Sequence, residues 1–164
     1  MWQILVIVIV LLPSILLAGA ILLNRVPLFE SPGFMARIST YLGHNVARLE
    51  PNAAFPELRP ALRPVKPALL CAEIPPALDT LGWRWQREGD CSFKATVTTS
   101  LLGFADDVTV HVEAVGEASS RLAVRSASRV GKGDLGANTR HILDLVAAVD
   151  RQLAAGKPVT TGTD

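Results

Sequence analysis

The first feature of the chain is a run from Trp2 to Leu23 that is rich in Ile, Leu and Val and contains no charged side chain. A helix of about 20 apolar residues crosses a hydrocarbon core of roughly 30 Å. We therefore predict a transmembrane anchor over residues 1–24. A cleaved signal peptide is the alternative, but the run is longer than the apolar region of such a peptide and no lysine or arginine precedes it.

The apolar pattern then takes a helical period. Ser31 is predicted to cap this helix, with Pro32 at its first position. Arg37, His44 and Arg48 fall mostly outside the apolar stripe. Two placements fit the pattern, because the helix either lies among lipid headgroups with its arginines toward anionic lipid or docks on the domain. The apolar positions at helical spacing are Phe34, Ile38, Tyr41, Leu42, Val46 and Leu49.

A proline-rich segment follows, with five prolines between positions 51 and 67. Proline fixes the backbone, so the segment takes an extended, polyproline-like path. We predict a solvated linker. The alternative is a strap across the domain surface, since Phe55, Leu58 and Leu62 would give it apolar side chains to bury. The juxtamembrane helix and this segment together make up residues 25–66.

The domain is predicted to begin with helical residues 67–81, ending at Gly82, which suits the position after a helix. Pro75 and Pro76 clash with a preceding helical turn. We therefore expect a kink, or two short helices with the second starting at one of these prolines.

Alternating polarity predicts a sheet with one wet face. Val108, Val110 and Val112 share one face of the third strand, and polar residues share the other. The arginines of the fourth strand also lie on its polar face. The predicted strands cover residues 83–87, 91–99, 106–115 and 121–130.

The pairing of the last two strands can be predicted, because opposite residues in an antiparallel pair point to the same side. A hairpin centred near Ala118 sets Asp107 opposite Arg129 and His111 opposite Arg125. We predict an Asp107–Arg129 contact on the open face. As a surface ion pair it would add little stability.

A last amphipathic helix, beginning at Asp134 or Asn138 and ending at Leu153, is predicted to pack on the apolar face of the sheet. The expected fold is α+β: a two-layer domain over residues 67–155, with an antiparallel sheet of about four strands and helices on one face. Residues 156–164 are predicted to form a flexible tail.

Charge and cysteine content limit the classes of function that we expect. The 16 lysines and arginines against 15 aspartates and glutamates give a net charge of +1, so we expect no nucleic-acid partner. Cys71 and Cys91 lack the spacing of a metal or redox site. We predict two unpaired, partly buried thiols, with one disulfide as the alternative in an oxidising compartment. We expect no metal and no cofactor.

Candidate chemistry concentrates in residues 125–140. Gly131, Gly133 and Gly136 spell Gly-x-Gly-x-x-Gly between a strand and a helix, the local form of a dinucleotide fingerprint. The surrounding sequence does not fit a dinucleotide-binding unit, because Asp150, the acid at about the right distance, lies within the predicted helix and not at a strand end. The glycines are instead predicted to permit a tight turn and a close approach of helix to sheet.

Basic residues around this turn suggest an anion site. Backbone N–H groups at the helix start, flanked by Arg129, Lys132 and Arg140, would hold a phosphate or carboxylate. Asp134 and Asn138 are equally good helix caps, which is the competing structural interpretation. The candidate ligand- or partner-binding residues are Asp107, Arg125, Arg129, Lys132, Asp134, Asn138 and Arg140.

No catalytic set is predicted. Ser126 and Ser128 lie on the predicted apolar face, and no Gly-x-Ser-x-Gly turn is present. Asp106 and Asp107 point to opposite sides of a strand, so they do not form a paired-carboxylate site. His111 on an open sheet is typical of a solvated strand residue.

Two sequence elements resemble an uncharacterised family. Residues 104–108 match Phe-x-Asp-Asp-Val, and residues 125–138 match Arg-Ser-x-Ser-Arg-x-Gly-x-x-Asp-Leu-Gly-x-Asn. Both are similar to the family called domain of unknown function 1499, over roughly residues 45–153. Asn45, Pro56-Glu57-Leu58 and Gly82-Trp83 also resemble a membrane-anchored bacterial subgroup, from which the Pro75-Pro76 pair departs. The family-pattern residues are Asp106, Asp107, Arg125, Ser126, Ser128, Arg129, Gly131, Asp134, Gly136 and Asn138.

The resemblance implies no activity. Our leading hypothesis is a non-enzymatic, membrane-anchored binding or accessory module that presents its polar sheet face or glycine turn to a protein partner or an anionic headgroup. The alternative is a hydrolase or transferase that acts on a membrane-derived substrate through Asp107, His111 and Arg129. A deep pocket joining these three residues would favour the enzyme, and a flat, ion-paired face would favour the module.

The expected location is a bacterial inner membrane, crossed once by residues 2–23. Arg25 and Arg37 place the domain on the cytoplasmic side by the positive-inside rule. Similar bacterial proteins are often exported or membrane-tethered, and this resemblance favours the periplasmic side.

Overall fold

The computed structural model describes residues 2–99 and 103–156, except for the side chains of residues 2–10 and Pro13. The predicted tail at 156–164 therefore lies almost wholly outside the described residues. The helices are α1 (Trp2–Leu23), α2 (Phe34–Gly43), α3 (Pro67–Ala72), α4 (Ile74–Thr80) and α5 (Ala137–Ala155), with a 3-10 turn at Pro56–Leu58. The strands are β1 (Val46–Arg48), β2 (Arg84–Gly89), β3 (Ser92–Thr98), β4 (Ala105–Gly116) and β5 (Ser119–Ser128).

The strands form one antiparallel sheet in the order β1-β5-β4-β3-β2. Helices α3, α4 and α5 cover one of its faces. Phe93, Val108, Val110 and Leu122 point into that layer and are fully buried. The predicted α+β class is confirmed, but the described sheet has five strands and not four.

The fifth strand comes from a segment that was wrongly predicted to be helical. Helix α2 ends at Gly43, and the next residues pair along β5, with Val46 opposite Ala127. The stripe residue Val46 is exposed on this short edge strand, and its buried side chain is Ala47, which lies outside the predicted stripe. The helix start was wrong too, because Gly33 and not Ser31 precedes its first residue.

Helix α2 is docked on the domain. Tyr41 and Arg37 are both buried, although Arg37 was predicted to lie on the polar side. The Arg37 guanidinium donates to both carboxylate oxygens of Glu57, at 2.5 and 3.0 Å, and to the carbonyl oxygens of Glu30 and Ser31. These bonds compensate the burial of its charge, so the docked placement is the one observed.

The N-terminal helix α1 extends over the predicted 22 residues. No helix in the described part of the chain is long and apolar enough to cross a membrane. The prediction of a membrane span rests largely on the side chains of residues 2–10 and 13, which lie outside that part.

The proline-rich segment is a strap. Phe55 and Leu58 are buried, whereas Leu62 is exposed. Arg63 exchanges two backbone hydrogen bonds with Ser120 at the edge of the sheet, and its side chain pairs with Asp150 of α5 at 2.8 Å. The prediction of a solvated linker was therefore wrong, because two apolar side chains and one cation find partners on the domain.

The proline pair in the first domain helix acts as predicted, since α3 and α4 are two short helices with Pro75 in the first turn of α4. Gly82 has φ of +67° and follows α4 as expected. The N–H of Trp83 donates to the carbonyl of Leu78, which completes the helix end.

Cys71 and Cys91 form a disulfide, so the prediction of two free thiols was wrong. The bond joins α3 to the turn between β2 and β3. Their separation of 20 residues gave no pattern from which the pairing could be read. The fold brings their Cα atoms within 5.3 Å.

Candidate functional site

The open face of the sheet carries the predicted ion pair. The Arg129 guanidinium donates to both carboxylate oxygens of Asp107, at 2.7 and 3.0 Å, and reaches the Thr96 hydroxyl at 3.4 Å. This bidentate contact holds the pKa of Asp107 below its usual range. The predicted contact is confirmed, and it joins two residues of the polar face.

The predicted register was wrong by two residues. Asp107 lies opposite Ala127, and His111 lies opposite Ala123. The pairing shifts between Ala114 and Gly116, which places an extra residue in β4 before the turn. Because the shift is even, every side chain keeps its predicted face, and Arg129 reaches Asp107 diagonally.

The remaining polar residues of this face do not converge on Asp107. Arg125 is half-buried opposite Thr109. His111 lies beside Glu113, whose carboxylate also accepts from Arg121 at 2.6 Å. The face is therefore a surface of local ion pairs.

The glycine turn is a docking point for the segment before the domain. A side chain on Gly133 would collide with the backbone carbonyl of Leu42 in α2. The N–H of Leu135 donates to the carbonyl of Tyr41 at 3.0 Å. Gly136 has φ of +88° and lies against Val26. The predicted tight turn is confirmed, but the close approach is to the segment between α1 and the domain and not of the last helix to the sheet.

The start of α5 is capped by Asp134. Its carboxylate accepts from the N–H groups of Gly136 at 2.8 Å and Asn138 at 3.1 Å. Lys132 is exposed, and Arg140 pairs with Asp144 along the helix. The backbone N–H groups that were predicted to hold an external anion therefore bind the Asp134 carboxylate, as the competing helix-cap interpretation predicts.

Asn138 is fully buried in a network that ties three elements together. Its amide nitrogen donates to the carbonyl of Asn45 at 2.8 Å and to the Ser128 hydroxyl at 2.9 Å. Its amide oxygen accepts from the Ser126 hydroxyl at 2.6 Å. These bonds join the residue before β1 to β5 and α5, so Asn138 supports the fold beneath the candidate site.

A cavity of about 830 Å³ lies where the end of α1, the glycine turn, the sheet and the start of α5 meet. This volume falls in the range of small-molecule sites. Of the predicted residues, only Asp134 and Arg140 line it. Its other charged or titratable lining residues are Arg25, Arg84, Asp106, His141 and Asp144.

Asp106 belongs to the family pattern but was not among the predicted binding residues. Its side chain is fully buried, and neither carboxylate oxygen has a hydrogen-bond partner among the described residues. Burial raises the pKa of Asp106, and the Ser128 hydroxyl opposes this shift. The available signal was its place on the apolar face of β4, next to Val108 and Val110, where a carboxyl group is out of pattern.

His141 of α5 lies beside this carboxyl. Its Nδ1 is 3.6 Å from the carboxylate of Asp106 and 3.4 Å from the Ser126 hydroxyl. Burial lowers the pKa of His141 to about 4, so the ring is neutral at neutral pH. The indole of Trp83 packs edge-on against the imidazole, with ring centroids 5.8 Å apart. Trp83 also lines the cavity.

The described residues hold no group of three or more His, Cys, Asp or Glu side chains placed to bind a metal ion. The cavity therefore offers a buried acid, a neutral imidazole, an indole and exposed guanidinium groups. Such a set suits recognition of a small molecule that is both polar and charged.

Comparison with known proteins gives a family and no activity. No curated protein matches the chain. The crystal structure of TTHA0849 from Thermus thermophilus is 11% identical, with 68% of this chain and 99% of that chain covered, but its TM-score of 0.35 is too low to bear on function. The model of the family described as protein of unknown function (DUF1499) matches residues 42–149, which include the cavity's buried acid and the glycine turn. The chain belongs to this family.

Proposed function

We propose that the protein is a membrane-tethered binding module that takes an anionic headgroup into the 830 Å³ cavity. One observation carries the proposal: the last turn of α1 and the residue that follows it form part of the cavity wall, through Ala20, Leu23 and Asn24. A site built on the end of an anchoring helix opens at the membrane surface. A lipid headgroup is the ligand most concentrated there.

The tether is part of this proposal. In sequence, α1 has 22 residues and no charged side chain, which corresponds to about 33 Å of helix and matches a hydrocarbon core. Two contacts connect its end to the domain. The Asn24 amide donates to the carbonyl of Leu135 at 2.9 Å, and Val26 is buried against Gly136.

Exposed apolar side chains near the end of α1 support an interfacial position. Phe29 and Met35 are 82% and 77% exposed, and the ring of Phe29 stacks on that of Phe34 at 5.5 Å. Exposed aromatic and methionine side chains favour the headgroup region over water. Helix α2 thus has one face on the domain and another suited to lipid.

Two cations at the cavity favour an anionic ligand. Arg25 and Arg84 are exposed lining residues, and neither forms an ion pair within the described part of the chain. Arg140 also lines the cavity, although it shares its charge with Asp144. Guanidinium groups bind phosphate oxygens with good geometry.

The enzyme hypothesis has less support. None of Asp107, His111 and Arg129 lines this cavity, and their ion pairs lie on the open sheet face. A flat, ion-paired face is the outcome that favours a binding module.

The disulfide between Cys71 and Cys91 supports a location on the oxidising side of the membrane. We extend the proposal to the bacterial periplasm, where such bonds form and persist.

The test uses the full chain in micelles of a neutral detergent. Dihexanoyl phosphatidylglycerol should raise the melting temperature in a dose-dependent manner, because a ligand that binds the native state stabilises it. Glycerol 3-phosphate, offered separately, distinguishes a lipid site from a free-phosphate site. The double variant Arg25→Gln, Arg84→Gln should weaken binding about tenfold or more, since two charge-assisted contacts are lost.

The matched control is Arg151→Gln, which removes an exposed arginine from the far end of α5. It should leave the affinity unchanged. Equal affinities for the control and the double variant, or no shift with either phosphate compound, would overturn the proposed site.

A further inference from the structure

We propose that the inner end of the cavity, at Asp106, His141 and Trp83, binds an ammonium group of the ligand. Combined with a phosphate at Arg25 and Arg84, this selects a zwitterionic amino-phosphate headgroup of the phosphoethanolamine class. The inference rests on the proposed function, because it assigns the second half of the same ligand.

Asp106 is the first reason. A buried carboxyl group normally receives hydrogen bonds, but both oxygens of Asp106 lack a partner among the described residues. Of the neighbouring hydroxyls, Ser126 donates to Asn138, whereas Ser128 accepts from Asn138 and keeps a single hydrogen to direct at Asp106. An ammonium group has three donors and a positive charge, so it would satisfy both oxygens and offset the cost of burying a carboxylate.

The charges around Asp106 favour a cation in the same place. Asp134, from the glycine turn, and Asp107, its neighbour on β4, both act on Asp106 as negative charges. His141, from α5, is neutral at neutral pH and adds no opposing charge. The described residues near the Asp106 carboxyl therefore supply no positive charge, so we expect the ligand to supply it.

Trp83 is the second reason. It lines the cavity and packs against His141, which in turn lies 3.6 Å from the Asp106 carboxylate. An indole face beside a carboxylate is a common setting for ammonium recognition, since the ring face adds a cation–π attraction.

The two halves of the ligand would lie at different depths in the cavity. Arg25 and Arg84 are exposed, whereas the side chains of His141 and Asp106 are 11% and 1% exposed. The phosphate would therefore remain at the mouth, and the smaller ammonium group would enter the floor. A headgroup in which two carbons separate phosphate from amine is short enough for a cavity of 830 Å³.

The experiment compares two lipids that share acyl chains and phosphate. Full-length protein in neutral detergent is titrated with dihexanoyl phosphatidylethanolamine and dihexanoyl phosphatidylglycerol, and the affinity ratio is measured by calorimetry. The wild type should prefer the ethanolamine lipid about tenfold, which is the value of one charge-assisted contact. Asp106→Asn should abolish the preference, because it removes the carboxylate that would receive the ammonium group.

Asp107→Asn is the matched control, because it removes the adjacent carboxylate on the opposite face of β4. It should keep the preference. If Asp106→Asn does not fold, the ammonium site is tested by the wild-type ratio of the two lipid affinities and by a Trp83→Leu variant. We expect Trp83→Leu to lose part of the preference for the ethanolamine lipid.

The outcomes separate the two proposals. A wild type that binds both lipids equally overturns the ammonium site and leaves the headgroup site intact. A wild type that binds neither lipid overturns both. Equal binding of free phosphoethanolamine and its lipid supports the ammonium site while placing the ligand's source in solution.

Discussion

The two adjacent aspartates on β4 lie in opposite environments. Asp107 faces water and pairs with Arg129, whereas Asp106 faces the helices and has no hydrogen-bond partner in the described structure. Strand alternation predicts both orientations from the sequence. The surroundings of Asp106 could not be predicted, because His141 lies 35 positions later and reaches it only once α5 packs on the sheet.

His141 makes stability depend on pH. Its pKa is about 4 in the folded protein because burial disfavours the imidazolium ion, whereas an unfolded chain has a histidine pKa of about 6.5. Between these values the unfolded state binds more protons, so the free energy of unfolding falls as the pH is lowered. The expected loss is about 3 kcal/mol from pH 6.5 to pH 4.

A His141→Phe variant isolates this effect, since it keeps an aromatic ring beside Trp83 and removes the titration. Asp106 acts in the opposite sense in both proteins, because its raised pKa makes the native state the better proton acceptor. Thermal unfolding from pH 7 to pH 4 should therefore show a steeper decline for the wild type than for the variant. Parallel pH profiles would show that His141 titrates normally in the native protein.

Among the elements, the segment between α2 and β1 shows where sequence periodicity fails. Val46 and Leu49 continue the apolar spacing of α2, so a helix over residues 34–49 fits the pattern. The chain leaves the helix at Gly43 because the free edge of β5 offers hydrogen bonds to residues 46–48. A partner strand that is distant in sequence decides this local structure, and no local pattern contains it.

Gly133 determines how α2 sits on the domain. Replacement by alanine would drive a methyl group into the Leu42 carbonyl, and a backbone atom cannot turn aside as a side chain can. We expect Gly133→Ala to lower the free energy of unfolding by about 2–4 kcal/mol. Amide exchange at Leu135 should accelerate, because its hydrogen bond to Tyr41 would be strained in the variant.

Gly43→Ala is the control for this prediction. It adds the same methyl group at the end of α2, where nothing lies within 4 Å. Its effect should be within about 1 kcal/mol, and the greater helix propensity of alanine favours a small gain. Similar losses in both variants would mean that the approach of Gly133 to α2 is not specific.

At the scale of the whole molecule, the segment between α1 and the domain is part of the fold. Arg37, Tyr41 and Phe55 pack together, with the guanidinium carbon 4.4 Å from the centre of the Phe55 ring. The strap adds Arg63, paired with Asp150. The apolar residues of this segment indicated that it could pack on the domain. The burial of Arg37 could not be predicted without knowing that Glu57 pairs with it.

Two features bear on the membrane side of the domain. The positive-inside count rests on Arg25 and Arg37, and the Glu57 partner of Arg37 does not alter it, because acidic residues contribute little to the rule. Two charges are a weak determinant of orientation, and the disulfide is the observation that supports the periplasmic side in our proposal.

A periplasmic domain predicts a specific labelling pattern. Both native cysteines are bonded, so a cysteine placed at the exposed hairpin turn by Glu117→Cys would be the reactive thiol. A membrane-impermeant maleimide should label this variant in intact spheroplasts as fully as after lysis, and leave the wild type unlabelled unless it is reduced. Labelling of the variant only after lysis, together with two free thiols in the wild type, would place the domain in the cytoplasm. Because the cavity contacts the end of α1, that result would also move the headgroup site to the inner leaflet.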